Sequence, residues 1–346
     1  SGGVISFTPS TTLSDGTYSL TVTASDSAGN TGPVSSAVTL TVDTAVPSAP
    51  AVSVSSPTND NTPTITGTAE AASIVTLSAG GQSLGQATAS SGGSYTLALS
   101  LGLADGTYPF TATAQDQAGN VSAASSGVTL LVDTAAPSTP ALTGTSPTNT
   151  STPLLTGTAE ADAAVAVYNG VTSVGQATAG SDGSYSVTIS ALSDGSYSLT
   201  AKATDSAGNA SADSSALSIL IDTVVPAAPT ISGTSPTNDE TPSLSGTAEA
   251  GTVVTVYDGN TTLGQAIADA GGTFSFVPGT LSEGGHTITA TTSDSAGNVS
   301  SSSDSLSLVI DLTPPTITLT GADVTVPHSG SYSDPGVTAQ DAVDGT

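Results

Sequence analysis

Short stretches in which apolar and polar residues alternate recur along the whole chain, separated by clusters of Gly, Pro, Asn, Asp and Ser. A period of two places the apolar set on the core face of a β-strand and the other set in solvent. About seven such stretches fill residues 47–136, and no segment has helical periodicity. The pattern therefore predicts an all-β fold, in which the unit is a seven-stranded β-sandwich. The clearest alternating set is Tyr108, Phe110, Ala112 and Ala114.

The pentapeptide Asp-Ser-Ala-Gly-Asn recurs at an almost constant interval. It begins at Asp26, Asp205 and Asp294, and a variant with Gln in second place begins at Asp116. The steps between these aspartates are 90, 89 and 89 residues (116−26, 205−116, 294−205). Because a period of this length is a whole domain, the chain is predicted to be a tandem array. The predicted units are a partial first repeat, three complete repeats and a partial last domain, with the boundaries 1–46, 47–136, 137–225, 226–314 and 315–346.

Composition limits the core of each repeat and the partners of the chain. Of 346 residues 36% are apolar and 3% aromatic, and there is no Cys, Met or Trp, so each repeat has a small core without disulfides. The net charge is −27, with Lys202 as the single basic residue. A polyanion of this kind has no basic surface for nucleic acid or an anionic membrane, and its small partners are expected to be cations. No run of 18 apolar residues occurs, so membrane insertion is not expected.

A tyrosine stands at the start of the penultimate strand in three repeats, directly after Leu-x-Asp-Gly-x. Immunoglobulin-type sandwiches keep a tyrosine corner here, with the hydroxyl bonded to upstream backbone. The position predicts this contact for Tyr18, Tyr108 and Tyr197, and predicts a structural rather than catalytic role for His286, which replaces the tyrosine in the fourth repeat. The fold class is therefore a tandem array of immunoglobulin-like β-sandwiches.

Further motifs carry a resemblance to a known family. They are Ser-Pro-Thr-Asn, Thr-Pro-x-x-x-Gly-Thr-Ala-Glu, Gly-Ser-Tyr, Leu-x-Asp-Gly-x-Tyr, Asp-x-Ala-Gly-Asn and Val-Asp-Thr-x-x-Pro. Across residues 1–314 the chain resembles the bacterial immunoglobulin-like repeats of very large secreted adhesins. Residues 317–321 and 333–338 resemble the start of a second bacterial surface immunoglobulin-like type. The resemblance implies an extracellular location on a bacterial cell surface, and an extender or adhesive module that is commonly stiffened by calcium.

Acidic residues recur where a sandwich turns at its ends, so the junction between consecutive repeats, called the seam, should gather carboxylates from both sides. Oxygen donors without His or Cys suit Ca²⁺, which takes six to eight ligands with carbonyls and water completing the shell. The sequence therefore predicts calcium at the seams. The predicted ligands are Asp43, Glu70, Asp116, Asp133, Glu160, Asp205, Asp222, Glu249, Asp294 and Asp311.

A second interpretation of the pentapeptide needs no metal. Asp can cap its own turn and Gly can take a positive φ, so Asp-x-Ala-Gly-Asn is also good turn chemistry. The aspartates that precede Gly in Leu-x-Asp-Gly are predicted turn formers for the same reason. These are Asp15, Asp105 and Asp194.

The residue inventory argues against an enzyme. The two His are unrelated in position, and the acids recur identically in every copy, whereas a catalytic site is singular. Two functions remain open. The first is a non-catalytic extender region that is stiffened by calcium and projects a distal binding domain; the second is the repeat region of an extracellular filament, sheath or phage fibre. Expected partners are calcium, neighbouring repeats and, through domains outside these residues, a host or surface glycan or protein. Outward Ser and Thr favour the extender, and outward apolar patches would favour the filament.

Overall fold

The computed structural model describes residues 4–319 and 336–340, and every regular element in these residues is a β-strand. The predicted all-β fold is therefore confirmed. The first partial repeat has one antiparallel hairpin, formed by β1 (Gly16–Leu20) and β2 (Val38–Val42). The second repeat has seven strands, which are β3 (Ala51–Ser53), β4 (Thr64–Thr68), β5 (Ile74–Ala79), β6 (Gln82–Thr88), β7 (Ser94–Ala98), β8 (Gly106–Gln115) and β9 (Val128–Val132).

The strands of the second repeat form two antiparallel sheets that face each other. One sheet has the order β3-β4-β7 and the other the order β6-β5-β8-β9. Their inner faces share one core, in which Ile65 of β4, Leu77 of β5 and Phe110 of β8 are fully buried. This is the two-layer arrangement of an immunoglobulin-like sandwich.

The third and fourth repeats have the same sheet order with a shortened first strand. That strand is reduced to the bridges Thr143–Thr156 and Ser232–Ser245, so six strands and a bridge replace the predicted seven strands. The third repeat contains β10 (Leu154–Thr158), β11 (Ala164–Asn169), β12 (Thr172–Thr178), β13 (Ser184–Thr188), β14 (Gly195–Thr204) and β15 (Leu217–Ile221). The fourth contains β16 (Leu244–Thr247), β17 (Val253–Asp258), β18 (Thr261–Ile267), β19 (Thr273–Phe276), β20 (Gly284–Ser293) and β21 (Leu306–Ile310).

The Ser-Pro-Thr-Asn motif carries the chain from one sheet to the other. In the second repeat Thr58 forms a parallel bridge with Val132 of β9, and the Ser56 hydroxyl accepts a hydrogen bond from the Leu131 amide at 2.9 Å. Pro57 has no amide hydrogen, so the antiparallel ladder with β4 cannot continue through it. This segment therefore pairs with the last strand, and it lies at the C-terminal end of its repeat.

The alternation in the penultimate strand is confirmed. Phe110, Ala112 and Ala114 of β8 have exposed fractions of 0%, 1% and 0%, and the third repeat buries Leu199, Ala201 and Ala203 to the same degree. Lys202 lies on the outward face between two of these positions and forms an exposed ion pair with Asp213 at 3.2 Å, as a period of two requires.

The glycine of Gly-Thr-Ala-Glu lets a carbonyl of the first strand and a tyrosine ring of β7 lie so close to its Cα that no side chain would fit there. A Cβ on Gly67 would lie 2.0 Å from the Ala51 carbonyl oxygen and 2.6 Å from the hydroxyl oxygen of Tyr95. That hydroxyl donates to the same Ala51 carbonyl at 2.8 Å, which ties the first strand to β7. Gly157 occupies the corresponding position of the third repeat.

The predicted tyrosine corner is confirmed in all three repeats that carry the tyrosine. The hydroxyls of Tyr18, Tyr108 and Tyr197 each donate at 2.8 Å to the carbonyl oxygen four residues upstream. In the fourth repeat His286 makes the corresponding contact, from Nε2 to the Ser282 carbonyl oxygen at 2.9 Å. The structural interpretation of His286 is therefore supported by its geometry.

The last domain is described only in part. β22 (Thr316–Leu319) pairs antiparallel with β23 (Val337–Gln340). The motif residues 320–321 and 333–335, which contribute to the resemblance with a second domain type, lie outside the described residues.

Candidate functional site at the inter-repeat seams

Each pentapeptide folds into a turn that its own aspartate closes. In the second repeat, Oδ1 of Asp116 accepts hydrogen bonds from the amides of Gly119 and Asn120 at 2.8 and 2.9 Å. The other carboxylate oxygen, Oδ2, accepts from the Asn120 side-chain nitrogen at 2.8 Å. The corresponding carboxylates of the other three repeats accept hydrogen bonds in the same way. The turn interpretation of the pentapeptide therefore has direct geometric support.

These donors keep the turn carboxylates ionised. The side-chain amide of Asn30 lowers the pKa of Asp26, and that of Asn120 lowers the pKa of Asp116. Partial burial raises the pKa of Asp205 and Asp294, but the amide donors of the turn outweigh it and both pKa values lie below the usual 3.8. Hydrogen bonds to the charged form are the common cause.

Two buried serines hold the turn against the sheet. After the turn, Ser122 and Ser125 accept from the amides of Ala114 and Ala112 on β8 at 2.9 and 3.0 Å. They take the place of a neighbouring strand, because the connection to β9 is irregular there. Serine pairs at the same spacing accept from the penultimate strands of the third and fourth repeats. The pattern Ser-x-x-Ser after the pentapeptide is therefore a sequence signal of this contact, which the sequence interpretation missed.

The asparagine of the pentapeptide reaches the preceding repeat. The side-chain nitrogen of Asn120 donates to the backbone carbonyl oxygen of Asp43 at 3.0 Å, so one amide joins the turn carboxylate to the end of the previous repeat. Asn209 donates to Asp133 at 2.8 Å and Asn298 to Asp222 at 2.7 Å. Asn30 donates to the carboxylate of its own turn. The sequence interpretation overlooked the asparagine, although it recurs in every copy.

The preceding repeat also donates to the turn. From the Ser-Pro-Thr-Asn loop of the second repeat, the backbone amide of Asn59 donates to the Ala207 carbonyl oxygen of the third at 3.1 Å. From the same loop of the third repeat, the side chain of Asn149 donates to the Gly297 carbonyl oxygen of the fourth at 3.0 Å. Each of these two seams is therefore crossed by hydrogen bonds in both directions.

The aspartates at the ends of the last strands begin the linkers. Oδ1 of Asp43 and of Asp133 accepts from the amide two residues on at 3.0 Å, and Asp222 and Asp311 do the same at 3.2 and 3.1 Å. Their side chains are thus engaged in the linker turn.

Asp105 has a role beyond the local turn that was predicted for it. Its Oδ1 accepts from both the amide and the hydroxyl of Thr134 at 2.9 Å, 29 residues further on. Asp15 and Asp194 hold Thr44 and Thr223 in the same way. These aspartates therefore attach each linker to the body of its repeat.

The predicted glutamates lie near the turns but on the surface. Glu70, Glu160 and Glu249 are exposed, and their loops lie at the pentapeptide end of each repeat, where Ile74 at the start of β5 pairs with Gln115 at the end of β8. Within residues 4–319 and 336–340, no group of three or more His, Cys, Asp or Glu side chains is arranged to hold a metal. What converges at a seam is a carboxylate, a carbonyl and an amide. Calcium ligation by the ten acids stays a prediction.

The fourth repeat has an ion pair at its corner. Nδ1 of His286 lies 2.7 Å from Oδ2 of Asp258, while Oδ1 of Asp258 accepts from the Thr287 amide at 3.0 Å. The Ser282 carbonyl and then the Asp258 carboxylate raise the pKa of His286. The third repeat has Asn169 and Tyr197 at these two positions.

The sequence profile of the bacterial Ig-like domain family matches residues 1–44, 52–134, 139–223 and 226–312. The chain belongs to this family. Exoglucanase B of Cellulomonas fimi is 34% identical over 238 residues, which are 63% of this chain and 21% of that enzyme. The Ig-like repeats thus correspond to about a fifth of that relative.

Two solved structures resemble the Ig-like repeats. One is a tetra-tandem repeat from the extending region of a large adhesion protein, with 26% identity, coverage of 87% of this chain and 83% of that one, and a TM-score of 0.26. The other contains fibronectin(III)-like modules of Clostridium thermocellum CbhA, with 21% identity, coverage of 49% and 94%, and a TM-score of 0.36. Scores of this size do not establish that the repeats are arranged alike. In the described part of the chain, no helix is long and apolar enough to cross a membrane.

Proposed function

We propose that the Ig-like repeats form a non-catalytic extracellular extender region of a bacterial surface adhesin, which holds a distal binding domain away from the cell. The observation that carries this proposal is the recurrence of the seam. The same turn asparagine donates to the same strand-end carbonyl between every pair of consecutive repeats, so each repeat follows the last with a similar contact. At about 3.3 Å per strand residue plus loops, a repeat is about 40 Å long, and three complete repeats span about 120 Å.

The surface of the sheets favours an extender over a packed filament. The outward positions of β4 are Thr64, Thr66 and Thr68, and hydroxyl side chains also line the outward face of β8. Exposed large apolar residues in the complete repeats, such as Leu154 and Val171, are separated along the chain, apart from Val224 and Val225 at the end of the third repeat. In the filament alternative these residues would be covered by a second chain. Sedimentation velocity on the chain separates the two, since the extender stays monomeric and the filament gains mass with concentration.

We further propose that calcium stiffens the seams. At the first seam a carboxylate oxygen of Asp116 and the carbonyl oxygen of Asp43 both accept hydrogen bonds from the side-chain amide of Asn120, so two oxygen donors lie close together there. Such oxygen donors fit a hard cation. Bound calcium would supply positive charge to the acids that the sequence places at the ends of consecutive repeats, and its binding would stabilise the aligned seam by mass action. Sites of extracellular modules have dissociation constants of roughly 10⁻⁴ to 10⁻³ M, so they would fill outside a cell.

Small-angle X-ray scattering tests the calcium proposal on the complete chain. We expect a larger radius of gyration in millimolar calcium than in excess chelator. Replacing two of the three seam carboxylates by Asp205→Asn and Asp294→Asn should reduce this difference, since the Asp116 seam remains. Asp213→Asn is a control that removes one carboxylate outside the pentapeptide turns, because Asp213 pairs with Lys202 on an outward face. Identical profiles with calcium and with chelator would exclude calcium stiffening.

A further inference from the structure

The third and fourth repeats are joined by two hydrogen bonds of opposite direction. The side chain of Asn298 donates backward to the Asp222 carbonyl at 2.7 Å, and the side chain of Asn149 donates forward to the Gly297 carbonyl at 3.0 Å. The donors come from different loops, and the acceptors are backbone groups of the facing repeat. Two hydrogen bonds at separate points limit both bending and twisting of the fourth repeat relative to the third. A single bond would still allow one repeat to rotate about it.

The turn asparagine is more buried in the repeats where it makes this contact, since Asn120 and Asn209 are half-buried and Asn298 is buried. Asn298 has an exposed fraction of only 6%, whereas Asn30, whose amide bonds to its own turn carboxylate, is exposed. A seam that opened would break the bond from Asn298 to the Asp222 carbonyl and expose both groups to water, while the bond from Asn298 to the Asp294 carboxylate would remain. The closed arrangement is therefore favoured by the asparagine itself.

The pentapeptide turn of the fourth repeat can direct the Gly297 carbonyl toward Asn149 because the fourth residue of the pentapeptide is glycine. Gly297 has a φ of +91°, in the left-handed region that favours glycine, and an added Cβ would lie 3.6 Å from the Asn149 side-chain nitrogen. At the seam of the second and third repeats Gly208 also has a positive φ, +95°, and lies beside Asn59, but there the backbone amide of Asn59 donates to the Ala207 carbonyl. The Ser-Pro-Thr-Asn loop and the pentapeptide thus form complementary surfaces at opposite ends of one repeat.

We propose that Asn149 and Asn298 form an amide clasp that aligns consecutive repeats in the absence of any metal. The clasp rests on the extender role proposed above and adds a second source of stiffness to it. The partner of the clasp is the next repeat of the same family, joined head to tail. Both asparagine side chains donate to backbone carbonyls, so the contact does not require a particular side chain on the facing repeat. At the preceding seam the side chain of Asn209 makes the corresponding backward bond, whereas the forward bond comes from the backbone amide of Asn59.

Pulsed dipolar spectroscopy on the complete chain tests the clasp. The chain has no Cys, so spin labels at Val171→Cys and Asn260→Cys report the third and fourth repeats alone. Both sites are exposed at corresponding hairpin tips. In EDTA we expect a narrow distance distribution for the chain with native asparagines and a broad one for Asn149→Ala combined with Asn298→Ala. Each bond lost should lower the ratio of aligned to misaligned seams by about fivefold.

Two controls separate the clasp from damage to the turn. Asn120→Ala makes the same change at another seam and should leave the labelled distance unchanged. Asn149→Ala alone removes the forward bond while the Asn298–Asp294 bond of the turn remains, and it should broaden the distribution to an intermediate width. If the chain with native asparagines is as broad in EDTA as the double variant, the clasp is refuted.

Repeating the measurement in calcium chloride distinguishes the two proposals. A distribution that is narrow in EDTA and unchanged by calcium supports the clasp and contradicts calcium stiffening. A distance distribution that is broad in EDTA and narrow in calcium refutes the clasp and supports calcium stiffening. If it is broad in both solutions, both proposals fail and the repeats are flexibly joined.

Discussion

At the residue scale, His286 shows how one residue difference between repeats changes the chemistry of a recurring contact. The tyrosine hydroxyl donates one hydrogen bond, whereas the imidazole ring faces the Ser282 carbonyl with one nitrogen and the Asp258 carboxylate with the other. Because both partners are acceptors, the ring satisfies them together only as imidazolium, with both nitrogens donating. The corner of the fourth repeat is therefore a charged site, and those of the third and second repeats are neutral.

This charge predicts a pH dependence of the fourth repeat. The folded-state pKa of His286 is raised above the ordinary value of about 6.5, so its contribution is fully present below that pH and is lost as pH rises through the raised pKa. Calorimetry should show the melting temperature of the fourth repeat fall by a few degrees as pH rises through this window. His286→Tyr with Asp258→Asn, which reproduces the residues of the third repeat, should remove the fall. An unchanged pH profile in this variant would show that the effect does not come from His286.

At the element scale, the first strand is attached to each sandwich by very few contacts. The Tyr185 hydroxyl donates to the Ala141 carbonyl at 2.6 Å, and Gly157 between them leaves room for both. The alternation of β10 identified the strand, but the need for glycine at this place became evident only from the tyrosine ring packed over it.

Gly157→Ala should therefore destabilise the third repeat. The new Cβ would lie 2.0 Å from the Ala141 carbonyl oxygen, so the first strand must move and the Tyr185 bond be lost, at a cost of about 1–3 kcal/mol. Hydrogen exchange on the complete chain should show faster exchange in the third repeat, with the second repeat as internal reference. Gly285→Ala on β20 is the control, because a Cβ there meets open space. Equal exchange in the Gly157→Ala and unchanged chains would show that the strand adapts.

At the scale of the whole molecule, the net charge of −27 acts on every repeat and every seam. Like charges repel over about 30 Å at 0.01 M salt and over about 8 Å at 0.15 M, so added salt should stabilise the folded and aligned chain. We expect the melting temperatures of the complete repeats to rise by a few degrees between these two concentrations of sodium chloride. A fall on adding salt would mean that attractive pairs dominate, against the composition.

The sequence by itself determined those features that arise within one strand or one turn. Alternation defined the strands and their inward faces, the 89- or 90-residue period defined the array, and the place of Tyr108 defined the corner, because these depend on neighbours a few residues away. The tertiary structure decided the partners of groups far apart in the chain. It joined Asp105 to Thr134, gave His286 its carboxylate, and brought Asn298 to the Asp222 carbonyl. Composition and spacing identify donors and acceptors, but only the packing of strands and of consecutive repeats determines which of them lie within hydrogen-bonding distance.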